Sequence, residues 1–189
     1  LMRKCQKKFG GNLDFCHSAT DIAKKAGPTL KLIEFIAKQD GSFTPAKLQE
    51  IARTTFLKLQ GCWQARQYEP MQPLLLPDLY RQHLQQIASL IRNHEINRMD
   101  DLTVAQVDLV NVRYTHKPDQ REFTALITAS MRDCYLDDRN GRFLRGDRTS
   151  QRFQEFWTFQ LQQGEWRLRE IEQTRESSAL REENFFEPF

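Results

Sequence analysis

The sequence predicts an α+β cone in which N-terminal helices pack on a curved, four-stranded antiparallel sheet. Phe56, Leu59 and Trp63 recur with helical period, while about ninety residues further on Glu155, Trp157, Phe159, Trp166, Leu168 and Ile171 recur with strand period. One chain therefore supplies a helix face and two adjacent strand faces to a single core, which argues against a helical bundle. The helical periods all precede the strand periods, so the strands form a meander.

Residues 1–17 are basic, glycine-containing and aperiodic, and are expected to form a loosely held arm. A short helix is expected over 18–26. Gly27-Pro28 breaks it, and Pro28 opens a second helix that runs to about Gln39 and ends at Asp40-Gly41. In that helix Leu30, Leu32, Ile33, Phe35, Ile36 and Ala37 cover more than half the circumference, while Lys31, Glu34 and Lys38 share a narrow stripe. Such a helix must bury itself against something. Thr44 as N-cap and Pro45 at the first helical position open the clearest element, a helix from 45 to about 66. Its apolar face is Leu48, Ile51, Ala52, Thr55, Phe56, Leu59, Cys62 and Trp63. Residues 71–76 read as a short turn or helix. A further helix runs from 77 or 78 to about 94 on Leu79, Leu84, Ile87, Leu90 and Ile91.

From Val104 the period becomes two. Val107 and Leu109 are out of phase with Val110, Val112 and Tyr114, the one-residue slip that a β-bulge produces. After a turn at 117–120, Phe123, Ala125, Ile127, Ala129 and Met131 alternate with Thr124, Thr128, Ser130 and Arg132. Residues 137–141 carry tight-turn chemistry. A third strand at about 151–162 and a fourth at about 165–174 are joined by Gln163-Gly164 as a hairpin connection. The tail, 176–189, is acidic yet ends in Phe185, Phe186 and Phe189; it either frays or docks on the cone or on a partner.

At 189 residues and 39% hydrophobic content the chain fits one domain with extra segments at its ends. The expected division is a basic arm with amphipathic helices (1–41), the cone (42–174) and an acidic, aromatic tail (175–189). No run approaches the roughly 18 to 20 apolar residues that cross a bilayer, and the start lacks an apolar signal core. Because the chain starts at Leu1, it is expected to be trimmed from a longer precursor whose start could carry a signal or anchor. The net charge is only +3, but residues 1–60 hold eleven Lys and Arg against five Asp and Glu. That first third is a candidate contact for an anionic surface, with a merely solvated face as the alternative. Cys5, Cys16, Cys62 and Cys134 form no CxxC pair. Cys5, Cys16 and His17 lack a fourth ligand, so no metal or other cofactor is expected.

Phe56-x-x-Leu59-Gln60-x-x-Trp63, followed by Met71-Gln-Pro-Leu-Leu-Leu-Pro77-Asp78-Leu79-Tyr80, resembles the helical half of the Tim-forty-four-like (Tim44-like) domain. Glu155-x-Trp157-Thr158-Phe159 with Trp166-x-Leu168-x-x-Ile171-x-Gln173 resembles its strand half. The resemblance spans roughly 42–174, and the order and spacing of the motifs make the combination specific. The family includes the membrane-tethering subunit of the mitochondrial inner-membrane import motor, a mitochondrial ribosome membrane receptor and many bacterial relatives.

The resemblance implies a nuclear-transport-factor-two-like cone around a large apolar cavity. It implies a non-enzymatic, membrane-peripheral adaptor in protein translocation or membrane-protein biogenesis, on a bacterial inner membrane or the matrix side of the mitochondrial one. In that family, amphipathic helices ahead of the cone are linked to recruitment by acidic phospholipids such as cardiolipin. The matching region is 18–39, where Lys24, Lys25, Lys31 and Lys38 interleave with Ile22, Leu30, Ile33 and Ile36. Buried apolar area contributes about 25 cal/mol per Å2 and each lysine near an anionic surface about 1 kcal/mol, enough together for reversible binding. The implied partners are an anionic phospholipid membrane, a translocase or ribosome component, and an apolar ligand in the cavity. The expected lining is Phe56, Leu59, Trp63, Tyr80, Phe123, Trp157, Phe159 and Trp166.

The same cone also carries acid-base enzymes, which need a carboxylate or His in an apolar pocket near a second donor. Glu155 shares a strand face with Trp157, and Asp133 shares one with Met131; Tyr114, His116, Tyr135 and Arg167 are candidate neighbours. The plainer reading makes Glu155 a structural carboxylate paired with an arginine. Nucleic-acid binding is not expected, because the pI of about 8.7 is too low and the aromatics sit on core faces. Arg145-Gly146-Asp147 and the calcium-loop-like 137–141 both read as turns.

Overall fold

A single helix, α1 (Ala19–Ala37), stands where two were expected. The computed structural model describes residues 15–189, so Cys5 and the expected arm up to position 14 lie outside the described residues. Ser18 caps α1 by accepting the Asp21 N–H at 3.1 Å. Pro28 lies inside the helix without ending it. Gly27 before it has no Cβ to meet the proline ring, and Thr29 Oγ1 sits 2.8 Å from Lys25 O and 3.2 Å from Val110 O. Burial supplies the rest: Ile22, Thr29, Ile33 and Ile36 face the protein from both halves of the helix.

The remaining helices follow the sequence closely. Thr44 accepts the Lys47 N–H at the start of α2 (Pro45–Ala65), which ends at Arg66 in the left-handed region. A 3-10 turn over Glu69–Leu74 leads into α3 (Pro77–Arg92).

Six strands follow instead of four: β1 (Glu95–Tyr114), β2 (Glu122–Asp137), β3 (Phe143–Gly146), β4 (Gln151–Gln162), β5 (Glu165–Gln173) and β6 (Phe185–Phe186). The order across the curled sheet is β5-β4-β2-β1-β6, with β3 paired to β2. The sheet is mixed, because β6 runs parallel to β1. The bulge expected after Leu109 is present as a register shift before Asn111, and two further shifts bend β1 earlier on. At the other end, Gln163 (φ 52°) and Gly164 (φ 78°) make the positive-φ turn that suits a tight hairpin.

β1 begins at Glu95, well before Val104, in a stretch where polar residues conceal the period. Asn97 is 0% exposed, and its side chain accepts from Trp63 Nε1 at 3.1 Å and donates to Asp133 Oδ1 at 2.7 Å and to Cys134 O at 3.1 Å. With every polar atom matched, an asparagine can sit where a valine would signal a strand.

The core lies between the helices and the inner face of the sheet. Phe123 stacks on Phe159 at 4.8 Å, and Phe56 meets Trp157 edge-on at 5.2 Å. A smaller cluster, Ile22, Val110, Leu126, Phe156 and Ala179, lies apart from it, joining α1 and the segment after β5 to β1, β2 and β4. The tail docks rather than frays. Asn184 Oδ1 accepts from Val112 N–H at 3.0 Å and Lys25 Nζ at 3.1 Å, and Glu187 N–H donates to Tyr114 O at 2.9 Å.

Gly146 offers a local check on the β2–β3 pairing. Its φ is +117°, and a Cβ there would lie 2.6 Å from both Asp133 O and Cys134 Cα. Gly146→Ala is expected to lower stability by about 2 kcal/mol, read as a reduced midpoint in chemical denaturation. An unchanged midpoint would show that β3 is not held this tightly.

Candidate functional site

The exterior of α1 is the first candidate site. Lys24, Lys31 and Lys38 are exposed and recur every seven residues, two helical turns apart, so they form one outward stripe. Leu30 (39% exposed) and Phe35 (50% exposed) lie beside that stripe, which also carries the exposed Glu34, and Lys24 is 3.9 Å from Asp21. The other members of the expected membrane set behave differently. Ile33 and Ile36 belong to the core, because they lie on the side of α1 that faces the protein, away from the lysine stripe. Lys25 is half-buried: its Nζ donates to Val110 O at 2.5 Å and to Asn184 Oδ1, and burial holds its pKa below the usual lysine range against the opposing field of Glu182.

The tail extends the stripe with an aromatic patch that the sequence reading did not assign. Phe186 meets Phe35 edge-on at 5.6 Å, and Phe189 packs on Phe186 at 5.5 Å and on Tyr114 at 5.9 Å. Phe189 remains 60% exposed. The available signal was Asn184 ahead of an aromatic run; what it pairs with is more than seventy positions away.

The second candidate is the interior of the cone. Phe56, Leu59, Trp63, Tyr80, Phe123, Trp157 and Phe159 are all buried members of one cluster. They pack on each other. Trp166, only partly buried, also lines a groove of about 570 Å3 with Ile51, Lys47 and Leu161. Deeper toward α3, Tyr68 OH lies 2.6 Å from His83 Nδ1, and Tyr68 stacks on Tyr80 at 5.7 Å. Burial pushes the His83 pKa down to about 4 and the Tyr68 pKa well above the usual phenol value.

The residues considered for acid-base chemistry do not converge. Asp133 is engaged by Asn97, Tyr114 OH donates to Asp40 Oδ2 at 2.9 Å, and Tyr135 lies under Arg145. His116 pairs with Glu187 of the tail at 3.2 Å. Glu155 is 2% exposed and faces Ile127 and Gln173 across the strands. Among the described residues, no group of three His, Cys, Asp or Glu is placed to hold a metal.

An α+β cone with helices on a curled sheet and a lysine-faced first helix is thus the class that fold and surface define. Residues 31–173 match the family model of the Tim44-like domain, and the chain belongs to that family. The family is one of membrane-associated protein-translocation adaptors and is generally non-enzymatic. The match begins inside α1 and so takes in Ile33 and Ile36. No curated protein matches the sequence. Among solved structures the chain is similar to the intermembrane-space region of the chloroplast protein ARC6, at 10% identity, with 84% of this chain and 98% of that one covered and a TM-score of 0.38. Among the described residues, no helix is long and apolar enough to cross a membrane.

Proposed function

We propose that this chain is a non-enzymatic, membrane-peripheral adaptor that lays the outer face of α1 on an anionic inner membrane and tethers a translocase or ribosome component there. The observation that carries the reading is the stripe Lys24, Lys31 and Lys38, with exposed Leu30 and Phe35 beside it, on a helix whose opposite face is locked into the core. Cations over anionic headgroups, with apolar side chains beside them, suit reversible binding at the interface. Cardiolipin is the lipid that the family relation favours. The apolar-ligand part of the reading rests on the groove beside Trp166.

Co-sedimentation of the full chain with liposomes containing or lacking cardiolipin, at physiological salt, tests the reading. Because each lysine near the surface is worth about 1 kcal/mol, Lys24→Gln, Lys31→Gln and Lys38→Gln together are expected to weaken binding about a hundredfold. The melting midpoint should stay put, since all three side chains are exposed. Equal pelleting of the triple variant and the parent would overturn the proposal.

A further inference from the structure

We propose that the open edge of β5 is a docking groove for a basic, extended segment of a protein partner, which adds a short strand beside residues 169–172. β5 ends the sheet on one side; at the other, β6 pairs with Arg113 and Tyr114 at the end of β1. Two ties bracket the open stretch. Leu76 N–H donates to Leu168 O at 2.9 Å, and Gln173 N–H reaches Glu176 Oε2 at 3.3 Å. Between them no strand lies alongside among the described residues. An edge of that kind presents backbone donors and acceptors that an incoming strand satisfies.

The edge opens onto a groove of about 730 Å3 whose far wall is the start of α3. Leu76, Leu79 and Ile171 give it an apolar lining, and Glu170, Glu172, Glu176 and Asp78 give it acidic sides. The one arginine there, Arg169, is already committed to Glu122 at 2.6 Å and lies 3.9 Å from Glu170. Asp78 pairs with Arg81 on its own helix. Burial, followed by the field of Glu170, raises the Glu172 pKa, against a hydrogen bond with Ser177 that lowers it.

These features select the occupant. A bare anionic surface is repelled, and a second copy would bring Glu170 and Glu172 against the same acids. A peptide with Lys or Arg at alternate positions places its cations on the acidic sides and its intervening apolar residues on the lining, as strand periodicity requires. The proposal deepens the adaptor reading by naming a surface for its protein partner, and rests on that reading only for there being such a partner.

The probe is a synthetic peptide of about eight residues alternating lysine and valine, titrated into the isotope-labelled full chain and followed by NMR. Shifts should concentrate on amides 169–172, and the Ile171 amide should gain protection from exchange. Glu172→Gln with Glu176→Gln is expected to weaken binding about tenfold, and raised salt should weaken it further. A peptide with proline at alternate positions should not bind, since it lacks the N–H groups for pairing. Equal binding by that peptide or by a glutamate-valine peptide overturns the proposal. So does an unaffected double variant, or a concentration-dependent dimer formed through β5. The double variant should still pellet on cardiolipin liposomes, so failure of the groove and failure of the membrane reading are separable.

Discussion

Replacing Ile33 and Ile36 together by alanine is expected to lower the unfolding free energy by about 4 kcal/mol or more. Both side chains are 0% exposed and sit in the main core cluster, and each large-to-small change in such a place costs about 2 to 5 kcal/mol. Domains of this size hold only about 5 to 15 kcal/mol, so the double variant would stand close to unfolding at physiological temperature. Leu30→Ala, one turn away on the exposed side, should stay within about 0.5 kcal/mol of the parent. Chemical denaturation of the two variants reads the contrast directly, and a stable Ile33→Ala, Ile36→Ala variant would show that α1 is not packed as described. The same contrast explains why a chain shortened to begin near Asp40 is a poor test of membrane binding. It would remove three buried core residues, Ile22, Ile33 and Ile36, along with the lysines.

The dual use of α1 shows where sequence reading reached its limit. The pattern of 30–37 correctly demanded burial, because apolar residues covered too much of the circumference for a solvated helix. It did not say which of them the sheet would take. Ile33 and Ile36 share a face with Ile22 and Thr29, positions on the far side of Pro28, and a reading that ended the first helix at Gly27 could not join them. β4 was legible to the residue because both its ends are marked and its core face alternates cleanly. The first half of β1 was not, because Asn97 is buried through side-chain bonds from Trp63 and to Asp133, partners distant in the chain. β6 was missed for a similar reason: two phenylalanines have no period, and what makes them a strand is Asn184 bonding to Val112. Of the candidate sites, the lysine stripe was visible in the sequence. The acidic groove at β5 was not, because it depends on which strand the topology leaves at the edge.

Acid is expected to weaken the fold between pH 6.5 and about 4 through His83, independently of any ligand. The ring is 5% exposed and lies against Trp63 and Tyr68, with Nδ1 2.6 Å from the Tyr68 hydroxyl. Burial lowers its pKa from 6.5 to about 4, and it raises that of Tyr68, so a protonated phenol donates to a neutral imidazole. In the unfolded chain His83 takes up its proton near pH 6.5, whereas in the folded chain it does so only near pH 4. The unfolded state therefore binds more protons across that window. The stability contribution is fully present above pH 6.5 and is lost as the pH falls to about 4, to the extent of about 3 kcal/mol. Carboxylates add losses of the same sign at lower pH, among them Asp137, which Arg139 holds at about 2. The variant that isolates the histidine is His83→Leu with Tyr68→Phe, which removes both partners and leaves no orphaned hydroxyl in the core. Denaturation midpoints measured from pH 7 to 4 should fall more steeply in the parent than in the variant, with the divergence opening below pH 6.5. Parallel profiles would mean that His83 reaches water or a counter-charge in the native state, and the closed packing of α3 on the cone would then have to be revised.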